Sequence, residues 1–141
     1  MSKVPIFHWD AEEGFAQCSL HDGNEVFYGF AEVHPDDADL ANEYTGLYIA
    51  QNRAIIKALQ YRKNYVLTPG LKALKQLYYS MAHSTHFNPK SYEAKMLMRQ
   101  IKLHEDDIQA TKEAIEEGRK GLKEYIDAKD KAYKKTRRRN G

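Results

Sequence analysis

At 141 residues, with 42% hydrophobic and 30% charged side chains, the chain has the length of one domain and more charge than a deep globular core tolerates. Its single cysteine, Cys18, excludes an internal disulfide and a cysteine-built zinc site, and no apolar run approaches the roughly 18 residues of a membrane span. The net charge of +2 conceals a division: residues 1–46 carry −9 and residues 47–141 carry +11, which favours an anionic partner for the helical part.

The first thirteen residues mix Pro5, Phe7 and Trp9 with Asp10, Glu12 and Glu13 and read as an irregular lead-in without an apolar signal-peptide core. Two β-rich runs follow, Phe15 to Leu20 and Val26 to Ala31, around His21-Asp22-Gly23-Asn24. Asp-Gly is the dipeptide of a tight type I′ turn, so residues 14–33 are expected to form a hairpin. Gly29 inside the second strand predicts a bulge or the close approach of another backbone or a ligand.

His34-Pro35-Asp36-Asp37 has the chemistry of a helix start, and a helix is expected from about Asp37 to Lys63, apolar on a face wider than one stripe. Thr68-Pro69-Gly70 reads as a break that opens a second helix, with Leu71, Leu74, Leu77, Tyr78 and Met81 at helical spacing. Residues 83–89 read as a loop.

From Ser91 to about Tyr133 a third helix carries Leu97, Ile101, His104, Ile108, Thr111, Ile115, Gly118, Leu122, Tyr125 and Lys129 at alternating steps of four and three. That is the period of a coiled-coil seam, and a single small chain is expected to leave much of it wet, favouring a homodimer or a larger even-numbered assembly. The basic end, residues 134–141, is expected to be disordered. The expected class is α+β: one domain over residues 1–141, with an N-terminal antiparallel hairpin or small sheet followed, over 37–133, by long, mostly antiparallel helices of coiled-coil character.

Six scattered histidines lack the spacing of a metal site on one helix, and no nucleophile elbow, phosphate loop or dinucleotide fingerprint is present, so neither a metal, a cofactor nor an enzymatic activity is expected. Tyrosine is abundant, ten in all, and several lie on helices that also bear Arg53, Lys57, Arg62 and Lys63. Rings stack on bases and cations meet phosphates, although the same tyrosines also suit amphipathic interfaces. The candidate ligand contacts are Tyr48, Arg53 and Lys57 on the first helix, Asn88 in the loop and Arg99 on the last helix.

The stretch Gly29-x-Ala31-x-x-x-Pro35-x-Asp37, followed by Gly46-x-x-Ile49-Ala50-x-x-Arg53-Ala54, resembles a group of small proteins encoded by phages of Gram-positive bacteria, and among them the first type of anti-Thoeris protein. The resemblance covers Gly29 to Ala54. It implies a cytoplasmic, non-enzymatic sponge that sequesters a cyclic ADP-ribose-type immune signal without cleaving it, in a homo-oligomer with pockets between subunits. Two alternatives come from the residues themselves: a nucleic-acid-binding or phage regulatory protein using the basic C-terminal region, or a direct inhibitor of a host defence protein.

Overall fold

The computed structural model describes residues 4–32 and 40–140, with side chains described over 4–32 and 43–132. The expected helix start at His34-Pro35-Asp36-Asp37 lies outside the described residues. An antiparallel sheet of three strands precedes the helices, an α+β arrangement. The strands are β1 (Pro5–Asp10), β2 (Phe15–Asp22) and β3 (Glu25–Glu32), in that spatial order.

The expected hairpin is β2–β3, with Asp22 opposite Glu25. Its turn is one residue further on than the Asp-Gly reading placed it: the central pair is Gly23-Asn24, and among the described residues only glycines take positive φ, Gly23 at 63°. Glycine in the first central position with an ordinary second residue is the type II′ pattern, not type I′.

β1 corrects the reading of the first residues as an irregular lead-in. It pairs antiparallel with β2, Pro5 opposite Leu20 and Asp10 opposite Phe15. The connection is closed locally, because Asp10 Oδ1 accepts the backbone N–H groups of Glu12 (3.0 Å) and Glu13 (3.2 Å) and Gly14 adopts φ 64°. Aspartate folding onto the two amides ahead of it is what that residue does well in a turn.

Pairing sorts the side chains by face. Ala16, Cys18 and Leu20 of β2 and Phe27, Gly29 and Ala31 of β3 point to one side and are buried. Helix α1 (Leu40–Tyr61) lies on that side, and the contact is so close that a Cβ added to Gly29 would stand 1.8 Å from the Ala50 carbonyl oxygen and 2.6 Å from the Ala54 nitrogen. Gly29 therefore meets another backbone, one of the two outcomes its position in the strand predicted. The neighbours are correspondingly small: Ala16, Ala31, Ala50 and Ala54 are all at most 4% exposed.

The break expected at Thr68-Pro69-Gly70 does not occur. α1 runs into a π-helical turn, Arg62–Leu67, and that into α2 (Thr68–Ala82). The Thr68 N–H donates to Lys63 O, five residues back, and Pro69, which has no N–H to donate, follows directly on this widened turn. The helix therefore continues where proline and glycine led to the expectation of a new start. After residues 83–91, Ser91 caps α3 (Tyr92–Asn140) by accepting the Ala94 N–H at 3.2 Å. α3 continues through the basic end to Asn140, a stretch for which composition suggested disorder.

The chain forms two compact units, residues 1–58 with 115–141, and residues 59–114. In the first, α1 and α3 run antiparallel, Tyr48 meeting Tyr125 and Ile56 meeting Gly118. In the second, α2 and α3 do the same, Gly70 facing His104 and Tyr78 meeting Phe87 just ahead of α3. The α3 seam is not left wet. Ile101 and Ile115 are 6% exposed and Thr111 9%, while Leu97, His104, Ile108, Gly118, Leu122 and Tyr125 are half-buried and only Lys129 is exposed. The packing face of α3 lies at the expected positions, but the chain itself covers it, and an uncovered seam gives no reason for a second copy.

Candidate functional site

Four residues apart on α1, Arg53 and Lys57 lie beside Ala50 and Ala54, which meet the sheet at Gly29, and both are exposed. Their side chains reach the β3 edge. Arg53 Nη1 donates to the Phe30 carbonyl at 2.6 Å, and Lys57 Nζ lies 5.7 Å from the Phe30 ring centroid.

Phe30 points away from α1, to the outer face of the sheet, because it alternates with the buried Gly29 and Ala31. Its ring stacks on Phe15 at 5.6 Å and 28° and on Tyr28 at 6.1 Å and 13°. The result is a row of three rings on a face where Tyr28 and Phe30 are each 42% exposed, with two cations at one margin. Rings of this kind offer flat surfaces to a base, and a guanidinium suits a phosphate. Phe15 stands opposite Glu32 and Asp10, so the other end of the row is acidic.

The remaining sequence candidates fall elsewhere. Tyr48 is nine residues from Lys57, about half a turn around the helix axis, and its ring packs on Tyr125 at 4.4 Å and Tyr44 at 6.4 Å. Its role in the fold is to join α1 to α3. Asn88 builds the approach to α3: its Oδ1 accepts the Lys90 N–H and its carbonyl accepts the Ser91 N–H, both at 3.0 Å. Arg99 is exposed on α3, and both residues belong to the second unit. The structure thus groups Arg53 with Lys57 and not with Tyr48. Phe15, Tyr28 and Phe30 were missed, although the period-two alternation around Gly29 places Tyr28 and Phe30 on one face.

No protein-family model, curated protein or solved structure matches the chain.

In the second unit, Thr68, Leu71, Lys72, Lys75, Tyr79 and Ser80 line an open groove of about 790 Å³ on one side of α2. A single helix supplies the lining, so a ligand there would be held from one side, whereas the β3 margin combines rings from two strands with cations from a helix. Among the described residues no group of three or more histidines, cysteines or carboxylates gathers as a metal site, and no helix is long and apolar enough to cross a membrane.

Cys18 is fully buried beneath the sheet, and desolvation raises its thiol pKa above the ordinary value. Thiolate is the reactive form, so Cys18 should resist a thiol reagent such as dithionitrobenzoate in native buffer and react promptly in denaturant. Fast labelling of the native protein would contradict this burial.

Proposed function

We propose that this chain is a phage counter-defence protein that works in the host cytoplasm by holding a cyclic nucleotide signal of the cyclic ADP-ribose type, without cleaving it. The observation that carries this reading is the Arg53–Lys57 pair set against the ring row Phe15, Phe30 and Tyr28. A cyclic nucleotide presents rigid bases and charged phosphates side by side, and this margin offers rings and cations side by side. The resemblance of residues 29–54 to anti-Thoeris sponges supports the same ligand class, with Arg53 inside that stretch.

Calorimetric titration with cyclic ADP-ribose isomers, cyclic dinucleotides and cyclic trinucleotides tests it. One of them should bind and be recovered unaltered after denaturation. Arg53→Ala removes a charged hydrogen-bond donor contributing about 1.5–3 kcal/mol, so affinity should fall by roughly 10- to 100-fold. Failure of all three classes to bind sinks the proposal.

The helical course of α3 through the basic end favours a second reading, nucleic-acid binding, because it sets those cations on a regular element. Binding of that kind would weaken steeply with salt and be lost on deleting residues 134–141, neither of which the sponge reading expects.

A further inference from the structure

Asp and Glu number 20 in this chain, yet none falls between Glu43 and Glu93, and the second half of that stretch holds Arg62, Lys63, Lys72, Lys75 and Lys90. In the second compact unit this acid-free run covers the π turn, α2 and the loop after it. Part of its charge is gathered on one side of α2. Thr68, Lys72, Lys75 and Tyr79 recur at steps of four, three and four, and at about 100° per residue they share that side. Gly70 and Tyr78, which face His104 and Phe87, lie elsewhere around the axis. With Leu71 and Ser80 the shared side lines the open groove on α2, and no described carboxylate is among the lining residues.

We infer that this side of α2 is a second binding site, and that its occupant is single-stranded nucleic acid held without sequence preference. Lys72 and Lys75 are exposed and stand about one helical turn apart, placed to meet successive phosphates. Tyr79 is 66% exposed, and its ring is backed by His83, with centroids 4.1 Å apart at 41°. His83 is fixed in turn, its Nδ1 lying 2.8 Å from the Tyr79 carbonyl oxygen. A ring supported from within the helix and open to solvent is a platform on which a base stacks.

The groove's chemistry selects among polyanions. A duplex keeps its bases stacked on one another and would use the lysines but not Tyr79. A lipid surface needs an apolar face to sink into it, and here Leu71 and the Tyr79 ring are set among polar groups. A lone nucleotide would be held from one side only, whereas a strand lying along the helix adds several weak contacts in line. From Thr68 to Tyr79 the helix advances about 16 Å, the length of roughly five nucleotides at ~3.4 Å each. This site goes beyond the proposed function: Arg53, Lys57 and the basic end all belong to the other compact unit.

Fluorescence anisotropy with a labelled oligothymidylate tests it on the full chain. Two neutralised phosphates give a single strand a log–log salt slope of about −1.4, so Lys72→Gln combined with Lys75→Gln should weaken binding and flatten the slope by that amount. Tyr79→Leu should weaken binding about 5-fold or more and leave the slope unchanged, since stacking releases no counterions. Both effects should persist in a chain lacking residues 134–141. An oligonucleotide carrying 5-bromodeoxyuridine should photocrosslink to the peptide that bears Tyr79, which decides the matter even where a variant fails to fold. Absence of binding overturns the inference. So does equal affinity for a duplex of the same length or for polyglutamate, indifference to the lysine or tyrosine substitutions, loss of binding with residues 134–141, or a crosslink outside α2. Cyclic-nucleotide titration of the lysine variant, which retains Arg53 and Lys57, keeps this test separate from that of the proposed ligand.

Discussion

Gly29→Ala should be among the most damaging single-methyl additions in this chain. The new Cβ would stand 1.8 Å from the Ala50 carbonyl oxygen and 2.9 Å from its carbonyl carbon, and both are backbone atoms that no rotamer change can move. Sheet and helix would have to separate, opening the layer of Ala16, Ala31, Ala50 and Ala54 to water. Overpacking in a rigid core costs about 1–3 kcal/mol and occasionally more, and this site belongs at or beyond the upper end. Since a domain of this size is stable by only about 5–15 kcal/mol, the urea midpoint should fall substantially. Gly121→Ala is the matched control. A Cβ there meets nothing within 4 Å, and alanine gains about 0.5–1 kcal/mol over glycine inside a helix, so its midpoint should rise. Equal midpoints for the two variants would show that β3 and α1 do not touch at Gly29.

Ile115 provides the second large effect. It is 6% exposed on the α3 side that packs within the chain, beside the turn where Gly118 meets Ile56. Truncation to alanine should cost about 2–5 kcal/mol through lost burial and the cavity left behind. Ile115→Asp should cost more, because a carboxylate would be placed at a buried apolar position that little water can enter. The expected result is loss of the folded state, seen as collapse of the helical circular dichroism signal. A folded Ile115→Asp monomer would instead restore the seam as a surface between subunits.

The elements set by local pattern are legible in this sequence, and those set by distant partners are not. The β2–β3 hairpin was legible from alternation and a glycine turn, and only its centre shifted, because a II′ turn wants glycine first. β1 was missed because Pro-Ile-Phe-His-Trp-Asp shows no alternation of apolar and polar residues; an edge strand exposed on both faces has no reason to show one. The helix from α1 to α2 was cut at Pro69 because proline and glycine together usually end a helix, and nothing in Arg62–Leu67 announces a π turn. At the site, Arg53 and Lys57 could be selected by charge and spacing. Tyr48 was grouped with them by closeness in sequence, but its partner, Tyr125, lies on another helix and could not be anticipated from local pattern. The ring row was legible in principle once Gly29 was recognised as facing a backbone, for its neighbours Tyr28 and Phe30 must then face the other way.

The π turn sets more than the continuity of the helix. Each residue of a helix advances the side chain by about 100° around the axis. A chain one residue shorter between Arg62 and Leu67 could run as plain α-helix and keep every other residue, yet all of α2 would swing by that angle, and the side bearing Leu71, Leu74 and Tyr78 would change places with a neighbouring polar one. Which side of α2 meets α3 is therefore written in a count of residues upstream of it, and its composition alone would tolerate a change of length that its packing would not.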